Sequence, residues 1–280
     1  MSAPTVKGTG TSQDGLRRAS DGFLKIRSVS KHFGALKAVD EVSFEVQEGQ
    51  IFSVIGPNGA GKTTLFNVMT GIYPATGGQV TFLGQDILGL PPHQITDLGL
   101  ARTYQIVRVF DNMSVLENVQ VGFHCRTKAG VWDAIFSTQR AKEEKIRSRE
   151  RGLELLERVG LQGHAQELAR SLPLGSRKRL QVARALATEP RALLLDEPTA
   201  GMNRSEKQEM MALVNDVRDA GVTVLLVEHD MNVIMGISDW IVVLDYGVKI
   251  AEGTPEEIQN IETVIEAYLG RGLAHESVGG

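Results

Sequence analysis

The sequence predicts an α/β fold: a parallel sheet wrapped by helices, with an antiparallel β layer at one edge and a helical subdomain that carries a charged arm. Three observations predict it. Short apolar runs at Arg191 to Leu195, Val222 to Val227 and Trp240 to Leu244 alternate with helical segments along the second half of the chain. Near the start, Leu24 and Ile26, and then Val42, Phe44 and Val46, alternate with polar neighbours in the period of two that marks half-buried strands. Between about Asn118 and Leu172 the period lengthens, with Leu153, Leu156 and Val159 at helical spacing.

Composition sets the outer limits. The 280 residues are 42% apolar and 23% charged, which excludes disorder throughout and suits one large domain or two joined ones. Thirty Lys and Arg against 34 Asp and Glu leave a formal charge of −4, so no nucleic-acid partner is expected from whole-chain attraction to phosphate. The apolar runs are far shorter than the roughly 20 residues of a membrane-spanning helix. A single cysteine, Cys125, precludes an internal disulfide, and Met1 to Gly22 lacks the apolar core of a secretory signal, so a reducing cytoplasm is expected. Six scattered histidines without ligand spacing argue against structural zinc.

In chain order, residues 1–22 are rich in Gly, Ser and Thr and read as a disordered tail, because they bury too little surface to offset ordering entropy. The folded unit is expected over 23–270, with 271–280 a flexible tail. Ile51-Phe-Ser-Val-Ile55 scarcely alternates and reads as a strand buried on both faces. A helix follows from Thr64 to Thr70 before Gly71, and alternation resumes at Val80-Thr-Phe82 after Gly77-Gly78. The run from Thr138 to Arg151 mixes both charge signs, and with the i,i+4 pairs Glu143/Arg147 and Glu154/Arg158 it reads as a solvated helix face. Cys125, Trp132 and Phe136 have no partner motif and are read as packing residues.

Chemistry enters at Gly56-Pro-Asn-Gly-Ala-Gly-Lys-Thr63, a phosphate-binding loop set between a buried strand and a helix. Its glycines let successive N–H groups turn inward, the helix end adds partial positive charge, and Lys62 reaches the β- and γ-phosphates. Thr63 offers a hydroxyl to Mg²⁺. Ala192-Leu-Leu-Leu-Asp-Glu-Pro198 then ends an apolar strand in two carboxylates. There Asp196 can hold Mg²⁺ through water, and Glu197 can polarise an attacking water.

From about Phe23 to Gly270 the chain resembles the ATP-binding-cassette ATPases, whose fold is a RecA-like P-loop NTPase core with an antiparallel β subdomain and an α-helical signature subdomain, here about residues 106–180. Four elements add to the loop and the carboxylates. Leu172-Pro-Leu-Gly-Ser176, leading into Arg177 to Leu186, is similar to the signature turn and helix. Gln105 in Ala-Arg-Thr-Tyr-Gln105 resembles the glutamine that touches Mg²⁺ or the lytic water. His229 resembles the histidine that grips the γ-phosphate, and Phe33 the aromatic that stacks on adenine.

The resemblance implies that ATP is held by Phe33, by Gly56, Pro57, Asn58, Gly59, Ala60, Gly61, Lys62, Thr63 and Thr64, and by Leu174, Gly175 and Ser176 of an opposed copy. It also implies Mg²⁺ at Thr63, Gln105 and Asp196, and hydrolysis carried by Glu197, His229, Gln105 and Lys62. Its implied partners are a second ATPase subunit (the same chain or a paralogue), integral permease subunits on the cytoplasmic face of the inner membrane and, indirectly, a periplasmic solute-binding protein. Val109, Phe110 and Met113 are candidates to line the permease groove.

Thr199-Ala-Gly-Met-Asn203, the insertion around 125–151, Val243 to Gly247, Ile250 to Pro255 and Val264 to Gly270 liken it further to the ATPases of branched-chain amino-acid importers. A lipopolysaccharide-type export ATPase, which would usually lack the insertion, is the alternative. A soluble non-transport ATPase of the superfamily would show two cassettes or a long coiled coil, and a P-loop kinase would pass phosphate to an acceptor other than water. Two departures stand out. Pro173 replaces the signature serine and leaves Ser176 as a substitute donor, and Asn203 stands where many relatives carry Asp.

Overall fold

A computed structural model describes residues 22–123 and 139–268. In chain order the strands are β1 (Leu24–Phe33), β2 (Leu36–Val46), β3 (Ile51–Ile55), β4 (Gly77–Phe82), β5 (Gln85–Asp86), β6 (Leu100–Arg102), β7 (Ala192–Asp196), β8 (Thr223–Val227), β9 (Trp240–Asp245) and β10 (Val248–Gly253). The helices are α1 (Lys62–Met69), α2 (Pro92–Asp97), α3 (Val115–Phe123), α4 (Gln139–Arg158), α5 (Leu174–Leu186), α6 (Arg204–Asp219), α7 (Met231–Ile237) and α8 (Pro255–Ile258). Residues 262–268 form a further helical turn.

One sheet runs β2-β1-β4-β5 and is antiparallel; the other runs β10-β9-β3-β8-β7-β6. In the second sheet β9, β3, β8, β7 and β6 are parallel, and β10 closes the edge antiparallel. Every residue of β3, β7 and β8 is buried, which explains why these runs do not alternate.

Successive strand residues nevertheless serve different cores, since side chains point to opposite faces in turn. Leu193, Leu195, Val224 and Leu226 face Leu156, Leu180, Met210 and Val214 of the helical side. Leu194, Leu225, Phe52 and Val54 face Leu65 and Phe66 of α1 and Leu24, Ile26 and Phe82 of the antiparallel layer. A third cluster joins Ile55, Ile241 and Val243 to Ile234, Ile258 and Val264. Helices α3, α4 and α5 pack on one another, but they share their core with the sheet face and do not build a separate one.

Several readings are refined. α1 begins at Lys62, two residues ahead of the expected start, because Gly61 already caps it. The strands β6 and β10 and the helix α2 carry too few residues, or too little alternation, to announce themselves. On α4, Arg158 donates to the Asp216 carbonyl and Arg151 pairs with Glu189, so this face is tied to neighbouring elements as well as solvated. The tails, apart from Gly22 and residues up to 268, lie outside the described residues, as do Cys125, Trp132 and Phe136. Among the described residues no helix is long and apolar enough to cross a membrane.

Because β3, β8, β7 and β6 are parallel neighbours, the segments that follow them emerge on one edge. Those segments are the glycine loop, Glu228-His229, Asp196-Glu197 and the stretch to Gln105. A carboxyl edge of this kind is where open α/β sheets bind ligands.

Candidate functional site

The loop after β3 is shaped by close backbone approaches. Gly56 adopts φ 149° and Gly61 φ 100°; a Cβ on the first would lie 2.0 Å from the Leu244 carbonyl oxygen, and on the second 2.3 Å from that of Ala38. No side chain caps α1, so its leading N–H groups remain open to an anion. Lys62 is buried and its Nζ donates to the carbonyls of Gly56 at 2.7 Å and Pro57 at 3.0 Å. Pro57 and Ala60 are buried, while Asn58 and Gly59 form the exposed tip; Thr63 is exposed and Thr64 half-buried.

Beside the loop stands a three-residue cluster. Gln105 Nε2 donates to Glu197 Oε2 at 2.8 Å, and His229 Nδ1 lies 3.9 Å from the same oxygen. Glu197 holds φ 49°, a left-handed backbone that costs energy in a non-glycine residue and turns the side chain away from the strand line. The neighbouring Asp196 is buried and paired with Arg102, Nη2 to Oδ2 at 2.7 Å. Burial raises the pKa of Asp196, and Arg102 beside it pulls the other way.

Three supports escaped sequence reasoning. Glu228, fully buried, accepts from the Thr199 N–H at 2.7 Å, the Thr199 hydroxyl at 2.6 Å and the His229 N–H at 3.2 Å. It thereby ties the loop after β7 to the loop after β8. Lys178, buried on α5, donates to the carbonyls of Glu197 at 2.7 Å and Ala200 at 2.8 Å. Burial lowers its pKa, opposed by Glu228 and Glu197. Arg102 was visible only as part of a quoted motif. Each acts through a partner distant in sequence, and the only available signal was a charged residue next to an apolar run.

Phe33 ends β1, 44% exposed, in edge contact with Tyr73 at 5.5 Å and with Lys31 Nζ 4.8 Å from its ring centre. The hairpin it begins leads to Ala38, whose carbonyl closes on Gly61 of the phosphate loop. The signature corner is elsewhere. Leu174, 46% exposed, approaches Gly201, and Gly175 approaches Glu206. Pro173 is the N-cap of α5 and supplies no side-chain bond. Ser176, the candidate substitute donor, lies in the first turn of the same helix. It is buried, and its Oγ takes a bond from Arg179 at 3.3 Å, because the first helical turn carries it inward. Asn203 has a local reason: it caps α6, accepting from the Glu206 N–H while Glu206 accepts from its own N–H.

Next to Gln105 lies a groove of about 490 Å³, walled by Tyr104, Arg108, Val109, Phe110 and Arg184 and floored by Gly122 and Ala185. The Arg184 guanidinium lies 5.4 Å from the Phe110 ring centre. Met113 is not part of this wall; its carbonyl instead takes the Ala169 N–H.

The residues fit a small hard cation. Thr63, Gln105 and Asp196 offer only oxygens toward it, and Asp196 Oδ1 is buried with no hydrogen-bond partner. Among the described residues no three His, Cys, Asp or Glu gather as a protein-made cage. One carboxylate and a hydroxyl, completed by phosphate oxygens and water, is the usual Mg²⁺ arrangement.

The family model described as ABC transporter matches residues 39–200, and one described as branched-chain amino acid ATP-binding cassette transporter matches 248–274. The chain is 44% identical to the high-affinity branched-chain amino acid transport ATP-binding protein LivG of Salmonella typhimurium, over 90% of this chain and 99% of that protein. It is 43% identical to the corresponding protein BraF of Pseudomonas aeruginosa, over 89% and 98%. Among solved structures, the ADP conformation of an ATP-binding cassette of an ABC transporter superposes with a TM-score of 0.76 at 32% identity, covering 89% of this chain and 98% of that one. A dimeric cassette in a post-hydrolysis state, bound to ADP and Pi, gives 0.71 at 25%, covering 83% and 98%.

Proposed function

The chain belongs to the ABC transporter family, and from that premise we propose that it is the ATP-hydrolysing subunit of an importer of branched-chain amino acids. The observation that carries the reading is the Gln105, Glu197 and His229 cluster set beside an open phosphate loop. The relatives' names and the C-terminal family match favour import over the lipopolysaccharide-type and soluble alternatives.

The loop N–H groups and α1 bind the triphosphate, and Lys62 exchanges the Gly56 and Pro57 carbonyls for phosphate oxygens. Phe33 and Tyr73 flank the adenine. Bound Mg²⁺, held by Thr63 and Asp196 with Gln105 adjoining, would neutralise charge on the phosphates. Gln105 already occupies Glu197 Oε2, which leaves the other carboxylate oxygen to align an attacking water and accept its proton. His229, 55% exposed, is free to turn toward the γ-phosphate. Placement and charge stabilisation carry most of such a reaction.

Leu174 and Gly175 abut residues of the Gly201–Glu206 segment on their own chain, so a second copy or a paralogue supplies the corner that covers this nucleotide. A dimeric neighbour bound to ADP and Pi supports that arrangement. The groove beside Gln105 receives an element of a permease, which makes the chain a peripheral subunit on the cytoplasmic face; a periplasmic solute-binding protein is an indirect partner. Glu197→Gln is expected to retain ATP binding while turnover falls by roughly 10²- to 10⁴-fold, read by nucleotide affinity and phosphate release. Undiminished turnover removes Glu197 from the reaction.

A further inference from the structure

Arg102 closes β6, three residues ahead of Gln105. Its side chain is 5% exposed and that of its partner Asp196 1%. Besides Asp196 Oδ2, it bonds two residues of the phosphate-loop helix and its C-cap: Nη1 donates to Asn67 Oδ1 at 2.7 Å and Thr70 Oγ1 at 3.1 Å. The guanidinium is packed by two rings, 5.7 Å from the centre of Phe66 and 5.2 Å from that of Tyr104. Tyr104 is in turn part of the groove wall. One side chain therefore joins the phosphate-loop helix, the acidic strand and the segment leading to Gln105.

The geometry has a chemical consequence. A carboxylate's terminal torsion is broad and two-fold, so an untethered Asp exchanges its oxygens readily. A planar guanidinium held by two other oxygens and two rings does not permit that exchange. Oδ2 is taken, and Oδ1 is left buried without a partner. We propose that Arg102 is the positioning residue of the magnesium carboxylate: it fixes Asp196 through Oδ2, reserves Oδ1 for the cation, and locks that choice to α1 and to the groove wall. The inference rests on the Mg²⁺-dependent ATPase reading of the site.

The test compares the full-length wild type with Arg102→Met and Arg102→Lys. Mn²⁺ binding to the ATP-loaded protein is followed by electron paramagnetic resonance, and ATP affinity is measured separately in EDTA. Loss of an outer partner of a metal ligand typically weakens the metal 10- to 100-fold, so Arg102→Met is expected to lose roughly that much Mn²⁺ affinity while metal-free ATP affinity stays within about twofold. Arg102→Lys keeps the charge but not the fork, is expected to fall between the two, and carries the test if the methionine variant does not fold. Unchanged Mn²⁺ affinity in a folded variant, or an equal loss of ATP affinity in EDTA, overturns the proposal. A wild type that binds ATP equally with and without the metal and hydrolyses none overturns the underlying magnesium reading instead.

Discussion

Glu228 makes three hydrogen bonds with one buried carboxylate, and two of its donors are backbone N–H groups. Orphaning such a donor costs about 1–3 kcal/mol. Glu228→Ala is therefore expected to lower unfolding stability by at least that amount in urea titrations, and to reduce turnover, since Thr199 and His229 lose their common tether. A variant as stable as the wild type would mean that the three bonds contribute no net stability. The glycines, Lys62, Thr63, Asp196 and Glu197 were legible in the sequence because their chemistry is written in consecutive residues. Arg102 and Glu228 were not, because their partners lie 94 and 29 residues away and are brought together only by strand order.

At the scale of elements, α5 starts from Pro173 without a side-chain cap, and the first turn contributes only backbone N–H groups to whatever it faces. Pro173→Ser adds a capping oxygen and loses proline's restriction of the unfolded chain; each is worth about 1 kcal/mol, so stability should change little. Its distinguishing effect is on pairing. In a Glu197→Gln background, the ATP concentration that half-dimerises the chain is expected to fall several-fold by sedimentation. An unchanged midpoint would make the missing hydroxyl irrelevant.

The helical turn 262–268 offers a second test. Tyr268 packs against the Ile55 and Val243 cluster, with its hydroxyl buried behind the phosphate loop beside the Gly56 N–H. Burial pushes its pKa up to about 12 from 10.0, with the Gly56 N–H pulling slightly the other way. The folded value lies above the unfolded one, so the unfolded chain ionises first. The stability this site contributes is whole below pH 10 and drains away as pH climbs toward about 12. Tyr268→Phe is expected to unfold less steeply over that window, and matched alkaline melting curves for the two proteins would discount the buried hydroxyl.

For the molecule as a whole, the α/β class and the antiparallel edge layer were readable because burial on one face or two imposes different periods. What the periods could not convey is which core each strand residue joins, or that the helical subdomain completes the sheet's own core. That sharing bears on the cluster of Gln105, Glu197 and His229. Gln105 and His229 came from resemblance alone and Glu197 from the acidic end of its strand; their contact follows from the parallel register that sets Leu194 opposite Leu225 and Ala101 opposite Leu193, bringing three strand ends level.

Lys62 already has carbonyl partners inside its own loop. The cradle is thus held in shape by the very group that grips the triphosphate in the proposed reading, one set of oxygens standing in for another. Recognition at this corner resembles a key entering a lock already cut. On the proposed dimer reading, the larger rearrangements of the cycle are therefore expected between one chain and the next, and not within the loop that first catches the nucleotide.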